Sequence, residues 1–428
     1  MKVGDAQRSC PATAAGSAVA VAPRGAGRRS WARSAVRCWQ NVRVDQPEGD
    51  QPVRRGSVTL HDVAREAGVS YATASRALNG SERTVRQENV ARVRAAAVRL
   101  GYVPHASAQA IARGSTNTVA LVVSDVDDPY FLMIAAGVID AAEDAGLIVT
   151  MAVADRSPGL ELQIVRTLRG HRPRAIVVAG SRVDGSGERA PLIEELETYR
   201  ASGGRVAVIS QPDLPFPTLA VDNGGGARRL ALELAGLGYR RFAVVHGDDA
   251  IRTSRDRRTA FAAGLREAGL ALDPGCEIET DFSRAGGYAA ADRLAELARD
   301  GVEAAFVVTD VMAVGAMTGL RAAGLRPGPD LAVAGFDDIE AACEVTPQLT
   351  SVRAPLREMG RQALEAALSG EPAGVIDVPV EVVLRDSTPP RRRGAGSART
   401  VIVGGATHVT AGEGHDIAAS SQADGYLA

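Results

Sequence analysis

Residues 59–80, TLHDVAREAGVSYATASRALNG, contain two short helical patterns joined by a glycine turn. The first pattern spaces its apolar residues as on one face of a helix, at Leu60, Val63, Ala64 and Ala67. Thr59 precedes this pattern as an N-cap, Gly68 ends it, and Ser70 is an N-cap for the second pattern. The stretch therefore predicts a helix-turn-helix.

The second helix, residues 71–79, is predicted to have two distinct faces. Ala74, Ala77 and Leu78 point toward a small core, which a third helix around residues 87–100 completes. The outward residues are Tyr71, Ala72, Ser75, Arg76 and Asn79. A second helix that is left free in this way can enter the major groove of DNA.

The outward residues have the chemistry of base and phosphate contact. Arg76 can bond both O6 and N7 of guanine, and Ala72 can touch a thymine methyl. Hydroxyl and amide side chains suited to phosphates are Ser70, Thr73, Ser75 and Asn79. Residues 56–114 hold eight arginines against four acidic residues, whereas the whole chain has a net charge of -2. The alternative at this point is a solvated three-helix bundle with no DNA partner.

The composition excludes several classes of protein. A chain of 428 residues is long enough for two or three domains, and none of its apolar runs reaches the ~18–20 residues of a membrane span. The four cysteines, at positions 10, 38, 276 and 343, are too scattered for a disulfide scaffold, so we expect a reducing cytoplasmic location. The six histidines show no metal spacing, and no nucleophile or phosphate-loop motif is present. We expect no enzyme, no metal and no cofactor.

Beyond residue 114, short β-branched runs alternate with amphipathic helices. The predicted strands are 119–123, 148–153, 175–179, 206–209, 242–245, 305–308 and 331–335. The predicted helices include 130–145, 224–237, 255–268, 284–299, 311–323 and 355–368. This alternation predicts parallel sheets built from βαβ units, with more strands than one small sheet uses. We therefore expect two doubly wound lobes with a ligand cleft between them.

Several strings of the sequence resemble the LacI/GalR (lactose-repressor) family of transcription regulators. In the N-terminal part they are TLHDVA at 59–64, AGVS at 67–70, ATASRALNG at 72–80 and LGYVP at 100–104. In the body they include DDPYF at 127–131, VDN at 221–223 and GFDD at 335–338, with further matches at 257–261 and 309–315. The resemblance covers about residues 58–388, and the N-terminal strings are highly specific.

The resemblance implies an all-α helix-turn-helix headpiece with a hinge helix, followed by an α/β two-lobed periplasmic-binding-protein-like core that dimerises and binds a small effector. The expected division is a disordered extension at 1–55, the headpiece at 56–103, the hinge at 104–114, the core at 115–388 and a disordered tail at 389–428. The extension is either a genuine tail or an over-extended start. The expected DNA contacts are Thr59, Leu60, Ser70, Tyr71, Ala72, Thr73, Ser75, Arg76, Asn79 and Ile111.

The length of the hinge segment also predicts how it behaves. Residues 105–112 are too few to form a stable helix alone, because helix nucleation is costly below about 12–15 residues. We expect them to order only on DNA, beside the hinge of a dimer mate, so that rotation of the lobes changes operator affinity. A flexible linker is the alternative.

Five residues depart from the family pattern. Ile111 stands where the hinge usually carries a leucine that wedges into the minor groove. Arg86 replaces the Ser or Thr that usually caps the third helix, and Ala74 replaces a valine of the headpiece core. Ser210 and Thr309 stand where relatives often have an aspartate and an asparagine. Fewer strong polar partners permit an effector that is smaller or less polar than a sugar.

The predicted effector residues lie beyond the carboxyl ends of predicted strands or match the family's effector positions. They are Asp127, Tyr130, Phe131, Ser181, Ser210, Arg257, Phe282, Thr309, Asp310 and Asp337. Aromatic rings can stack on the apolar face of a sugar, and Arg257 and Asp337 can bond its hydroxyls. For the aspartates at 125, 127 and 128, loop solvation or helix capping is the alternative.

The sequence predicts a DNA-binding transcriptional regulator, a repressor that acts as a homodimer on a pseudo-palindromic operator. A small-molecule effector, for which carbohydrate is one candidate, would control its operator affinity. A solute-binding protein of a transporter is the alternative, since it shares the lobed fold. The headpiece and the weakness of residues 12–22 as an export signal favour the regulator, and no membrane partner is expected.

Overall fold

Three short helices form the N-terminal part of the protein: α1 (Leu60–Ala67), α2 (Tyr71–Asn79) and α3 (Gln87–Leu100). The structure of the protein is a computed structural model. It describes residues 58–79, 85–103, 115–370 and 374–391, and the backbone of 401–403 and 406–408. The predicted hinge at 104–114 and the predicted extension at 1–55 lie outside the described residues. Elements are numbered in chain order.

The termini of the three helices follow the local sequence. Gly68 ends α1 with φ of 62°, a left-handed conformation that glycine adopts without steric cost. The Ser70 hydroxyl accepts from the backbone N–H of Thr73 at 3.1 Å and so caps α2 as predicted. Arg86 makes no side-chain cap bond at the start of α3. The buried core between the helices is built from small residues: Val63, Ala64, Ala67, Ala74, Ala77, Val93, Ala96 and Ala97.

The first lobe is a parallel sheet with helices on both faces. Its strands are β1 (Thr118–Val123), β2 (Ile148–Val153), β3 (Ala175–Ala179), β4 (Arg205–Ile209), β5 (Thr218–Val221) and β11 (Val375–Val378), in the spatial order β2-β1-β3-β4-β5-β11. Its helices are α4 (Pro129–Asp144), α5 (Pro158–His171), α6 (Arg189–Ala201) and α13 (Leu356–Ser369). Helices α4 and α13 pack closely at Gly137, because this residue has no side chain. A Cβ there would lie 1.7 Å from the carbonyl oxygen of Arg357.

The second lobe repeats this architecture. Its parallel strands are β6 (Phe242–His246), β7 (Glu277–Glu279), β8 (Ala304–Val307) and β9 (Ala332–Ala334), in the order β7-β6-β8-β9. Its helices are α7 (Asn223–Gly236), α8 (Arg252–Glu267), α9 (Arg284–Ala289), α10 (Ala291–Arg299), α11 (Asp310–Ala322) and α12 (Ala341–Glu344). A small antiparallel pair, β10 (Ser351–Arg353) and β12 (Glu381–Val383), packs against this lobe. The predicted single helix at 284–299 is wrong, because it divides at Ala290 into α9 and α10.

Within the described residues, the chain crosses between the lobes three times, at 221–223, 353–356 and 378–381. As a result β11 pairs in parallel with β5, about 150 positions earlier in the chain. The carboxyl ends of the strands of both lobes meet at the cleft, which is where open parallel sheets bind ligands. The predicted fold class, a helical headpiece followed by a two-lobed α/β core, is confirmed.

Two segments of the predicted disordered tail have a defined backbone. Pro389 accepts a hydrogen bond from the Tyr239 hydroxyl at 2.6 Å, and Arg391 pairs with Glu303 at 3.1 Å, so the ordered core extends to 391. Farther on, β13 (Val401–Val403) pairs antiparallel with β14 (Ala406–His408). The expected division at 389 stays a prediction, since most of the tail lies outside the described residues.

Candidate functional site

The outer face of α2 is the first candidate site. Tyr71 is 49% exposed, Ala72 and Arg76 are exposed, and Ala74 is fully buried, as the predicted faces require. The hydroxyls of Ser70 and Thr73 lie 2.9 Å apart and bond each other at the start of the helix. Ser75 is half-buried, and for Asn79 only the backbone is described. The exposed part of this face thus combines one aromatic ring, one small residue and one guanidinium.

Contacts between the helices fix the orientation of this face. The rings of His61 and Tyr71 stack with centroids 4.4 Å apart, which joins the start of α1 to the start of α2. A guanidinium N–H of Arg92 on α3 donates to the carbonyl of Ala67 at 2.6 Å, and Arg99 pairs with Glu66 at 3.1 Å. These bonds hold α3 against the turn between α1 and α2.

Two predicted DNA contacts at the start of α1 have partners within the protein. The Asp62 carboxylate accepts from the Thr59 backbone N–H at 3.0 Å and from its hydroxyl at 2.7 Å, and these bonds lower the pKa of Asp62. Leu60 is half-buried and packs against the small core. Ile111, the predicted minor-groove wedge, lies outside the described residues.

The second candidate site is a cavity between the lobes, which we call the inner cavity, with a volume of about 50 Å³. Eight of the ten predicted effector residues line it. They are Tyr130, Phe131, Ser181, Ser210, Arg257, Phe282, Thr309 and Asp337. They come from both lobes, at the carboxyl ends of strands or at the starts of helices, so the cavity lies where the two sheets meet.

Arg257 and Asp337 form the polar wall of the inner cavity on the side of the second lobe. Both are nearly fully buried, and a guanidinium N–H of Arg257 donates to Asp337 Oδ1 at 2.7 Å. The same guanidinium donates to the side-chain oxygen of Asn223 and to the carbonyl of Val308, both at 2.8 Å, and lies 3.7 Å from the centroid of the Phe336 ring. Four contacts therefore position this one side chain.

Burial alters the titration of the groups on this wall. Desolvation raises the pKa of Asp337 to about 6, although Arg257 opposes the shift. The pKa of the Tyr130 hydroxyl is also raised by burial, and the nearby Asp337 carboxylate adds to that shift. The backbone of Asp337 has φ of 111°, an uncommon conformation for a side chain other than glycine. A buried charge pair on strained backbone is typical of a functional site.

Two of the ten predicted effector residues are not on the cavity wall. Asp127 is exposed and lies outside the cavity lining. Asp310 is fully buried, and its carboxylate accepts from the Ile339 N–H at 3.0 Å and from the Ser351 hydroxyl at 2.7 Å. Asp310 thus binds segments of its own lobe together and lies outside the cavity lining, and its assignment as an effector contact stays a prediction.

Arg156 is the main lining residue that the sequence analysis missed. It follows β2 and donates to Asp125 and Asp128, both at 3.2 Å. Its guanidinium carbon lies 5.0 Å from the ring centroid of Phe282, which belongs to the other lobe. The rule that ligands lie beyond strand ends could have identified it, because the strand at 148–153 was predicted correctly. Asp128, for which helix capping was the alternative, also lines the cavity and does cap the helix, accepting from the Tyr130 N–H at 3.1 Å. The remaining lining residues that were not predicted are Gly180, Ile209, Gln211, Val221, Asn223 and Thr253.

Direct contacts close one side of the cleft. The Thr253 N–H at the start of α8 donates to the Ser181 hydroxyl at 3.1 Å, and the Gln211 side chain donates to the Thr253 hydroxyl at 2.8 Å. Arg252 donates to Asp213 at 3.0 Å, and the backbones of residues 183 and 251 form an antiparallel bridge. The lobes therefore touch through α8 and the residue before it.

Two further features concern the residues that the structure describes. None of the helices among them is both long and apolar enough to cross a membrane. In those same parts of the chain, no group of three or more His, Cys, Asp or Glu side chains is placed to hold a metal ion.

Two family models match the chain. Residues 59–105 match "Bacterial regulatory proteins, lacI family", and residues 231–388 match "Periplasmic binding protein-like domain". The first match covers the three helices and the second covers most of the second lobe.

Curated relatives match along most of their length. The chain is 31% identical over 343 residues to the HTH-type transcriptional regulator CelR of Thermobifida fusca, covering 77% of this chain and 96% of CelR. It is 32% identical over 324 residues to the HTH-type transcriptional regulator GalS of Salmonella typhimurium, covering 75% of this chain and 92% of GalS. A third relative is the HTH-type transcriptional repressor CytR of Escherichia coli, at 28% identity over 340 residues, 78% of this chain and 96% of CytR.

Solved structures of similar proteins include DNA and sugar complexes. A lac repressor dimer bound to operator and the anti-inducer ONPF matches with a TM-score of 0.66 at 25% identity, over 78% of this chain and 100% of that one. The complex of the transcriptional regulator CelR with cellobiose matches with a TM-score of 0.55 at 28% identity, over 77% of this chain and 99% of that one.

Proposed function

The chain belongs to the lacI family of bacterial regulatory proteins, and we propose that it represses transcription as a homodimer on a pseudo-palindromic operator. One observation carries the proposal: a single chain joins an exposed helix-turn-helix face to a cleft walled by a buried Arg257–Asp337 pair. The face supplies DNA contacts and the cleft supplies a ligand site. Relatives that are transcriptional regulators support a cytoplasmic location and a function without catalysis.

In this proposal α2 reads the operator. Arg76 bonds a guanine in the major groove and Ala72 contacts a thymine methyl, while Ser70 and Thr73 bond phosphates. The partner headpiece reads the second half-site. Ile111 remains the predicted minor-groove wedge of the hinge.

The cleft controls operator affinity. An effector that prefers one arrangement of the lobes shifts their populations, and the shift reaches the headpieces through the predicted hinge at 104–114. Arg257 and Asp337 offer donors and an acceptor to ligand hydroxyls, and the rings of Phe131 and Phe282 flank the cavity. The CelR–cellobiose complex supports a carbohydrate effector.

The runner-up function is a solute-binding protein of a transporter, since the lobes alone would suit it. The three-helix headpiece argues against this function, because a solute-binding protein does not need an exposed helix that enters the major groove of DNA. Membership of the lacI family also favours a transcriptional regulator.

Operator selection tests the proposal. The purified full chain is mixed with random duplexes, bound DNA is amplified, and the recovered sequences are titrated at several salt concentrations. We expect enrichment of a pseudo-palindrome whose binding weakens as salt rises, because phosphate contacts release counterions. Recovery of unrelated sequences, or binding that salt does not change, would reject operator recognition.

A further inference from the structure

Three arginines of the first lobe differ from the others in having no partner. Within the described residues, most arginines of this lobe form ion pairs with carboxylates: Arg156, Arg166, Arg169, Arg182, Arg189, Arg200, Arg357 and Arg361. Arg172, Arg174 and Arg205 are exposed, and in the same described part of the chain their guanidinium groups have no hydrogen-bond or ion-pair partner. These three groups are therefore available to an anion from outside the lobe.

The three arginines lie together at one end of the first sheet. Strand β3 begins at Ala175 and β4 at Arg205, and these two residues are partners across the parallel pair. The backbone N–H of Arg174 donates to the carbonyl of Thr118 at 2.7 Å, so Arg174 adjoins the start of β1. Neighbouring strands lie about 4.8 Å apart. Arg172, Arg174 and Arg205 thus share the amino ends of β1, β3 and β4, which we call the basic end, and the cleft lies at the opposite ends of these strands.

The chain enters the first lobe at the basic end. The backbone N–H of Thr116 donates to the carbonyl of Arg172 at 2.8 Å, and the Thr116 hydroxyl donates to the same carbonyl at 3.1 Å. Only residues 104–114 separate this point from the described part of the headpiece, and a segment of that length spans at most about 40 Å. Among the surfaces of the lobe, the basic end is therefore the nearest along the chain to DNA held by α2.

The neighbouring carboxylates leave the basic end positively charged. Asp144 at the end of α4 pairs with Arg361 at 2.8 Å, and Glu197 near the end of α6 pairs with Arg200 at 3.0 Å. Glu143 is exposed at the end of α4, which leads into β2, on the other side of β1 from β3. The part of the sheet edge formed by β3 and β4 thus keeps a positive charge that attracts phosphates.

The carboxyl ends of helices are the competing explanation for these arginines. Arg172 ends α5 with φ of 51°, and the guanidinium of Arg205 lies against Gly370, which ends α13. A cation at such a position is stabilised by the helix dipole. This attraction leaves the guanidinium N–H groups unused, because none of them donates to a carbonyl of the described residues. Guanidinium donors match the geometry of phosphate oxygens.

We propose that the basic end is a second DNA contact, in which Arg172, Arg174 and Arg205 bind phosphates of the duplex that the headpiece holds. Phosphate contacts carry no sequence information. The basic end therefore adds affinity for any duplex and leaves the choice of operator to α2. This proposal rests on the proposed function, since it requires DNA held by the headpiece.

Salt titrations on matched charge variants test the proposal. The full chain, the variant Arg172→Gln/Arg174→Gln and the control Arg266→Gln/Arg299→Gln are titrated by anisotropy onto the selected operator and onto a scrambled duplex of equal length. Salt is varied between about 50 and 200 mM, where phosphate contacts weaken measurably. The control arginines are exposed in the last turns of α8 and α10 of the second lobe, so the control removes the same charge from similar helix ends.

We expect the glutamine variant to lower the magnitude of the slope of log affinity against log salt by up to about 3.6, which is about 0.9 for each of the four arginines that a dimer loses. Binding to both duplexes at about 50 mM salt should weaken by the same factor, at least about tenfold. The control should keep the wild-type slope. Arg172→Lys/Arg174→Lys should keep most of it, because an ammonium group still neutralises a phosphate. If the glutamine variant does not fold, Arg205→Gln replaces it, with an expected fall of up to about 1.8.

A wild-type slope in the glutamine variant would overturn the DNA contact. A lower melting temperature in that variant would then assign the arginines to the helix ends, and an unchanged one would favour an acidic protein as their partner. An equal fall of the slope in the control would also overturn the contact, since net charge alone would explain it. The proposed function fails separately, when the wild type does not prefer its selected operator to the scrambled duplex. In that case a fall of the slope on the scrambled duplex would still support the basic end.

Discussion

The outer face of α2 and the Arg257–Asp337 wall perform their proposed tasks in opposite physical settings. Arg76 is exposed on a helix whose core side is made of alanines, so its side chain can be changed without disturbing packing. Arg257 is buried and bonded to Asn223, Val308 and Asp337 before any ligand arrives. Function and stability are therefore separable on α2 and coupled in the cleft.

The largest effect is expected from Arg257→Ala. The variant leaves Asp337 buried without its cation, which typically costs about 3–5 kcal/mol. Urea unfolding followed by circular dichroism should show the loss. The double variant Arg257→Met with Asp337→Asn should recover part of it, because no buried charge is then left unpaired. If Arg257→Ala is as stable as the wild type, the proposed coupling between function and stability in the cleft is wrong.

The pH dependence of stability should show the same coupling. Because the pKa of Asp337 is raised from 3.8 to about 6, the folded state holds this proton more tightly than the unfolded state. The stabilisation from protonation is therefore present below about pH 4 and is lost as the pH rises toward 6.

Comparison with Asp337→Asn removes the titration of this group. Burial also raises the pKa of Asp128 and of Asp310 in both proteins, and the charge of Asp337 adds to the shift of Asp310, so the difference includes that coupling. The difference in unfolding free energy between wild type and Asp337→Asn should fall from pH 4 to pH 6. A constant difference would mean that Asp337 does not titrate in this range.

Arg76→Ala should have a smaller and purely functional effect. We expect a loss of about 1–3 kcal/mol in binding at one base pair of each half-site, with the melting temperature unchanged. Anisotropy titrations on the selected operator and on scrambled DNA measure it. Arg94→Ala removes the same charge from the exposed side of α3 and is the control. If Arg76→Ala loses specific and nonspecific binding equally, Arg76 contacts phosphates and does not recognise a base.

The smallest effect is expected from Arg86→Ser. Arg86 makes no cap bond at the start of α3, so a serine hydroxyl there should stabilise the headpiece by about 1 kcal/mol. Hydrogen exchange of the amides of residues 87–100 measures the gain, and Arg86→Ala is the control. A gain in both variants would show that removal of the arginine, rather than the cap, is responsible.

The local part of the structure was predictable because it depends on neighbouring residues. The strand predicted at 119–123 is Thr118–Val123, and the helix predicted at 130–145 is Pro129–Asp144. The cap at Ser70 and the missing cap at Arg86 were likewise correct. Spacing of apolar residues, N-caps and glycine stops act over a few positions, so the sequence states them directly.

The candidate site was predictable only in part. Strand ends and the family's effector positions together identified eight lining residues, but they could not distinguish Asp310 from Asp337, since both follow buried strands. Their difference depends on partners far along the chain: Asp310 meets Ser351, whereas Asp337 meets Arg257. Arg156 also enters the cleft only because the other lobe places Phe282 beside it.

By itself, the sequence determined the helix-turn-helix, the alternation of strands and helices and the family of the protein. Only the tertiary structure decided that β11 joins the first sheet beside β5, across about 150 residues, and that the lobes meet through α8. The physical reason is the separation along the chain of the residues that make contact. Secondary structure follows from contacts between near neighbours, whereas the composition of a cleft depends on which distant segments the packing of two sheets brings together.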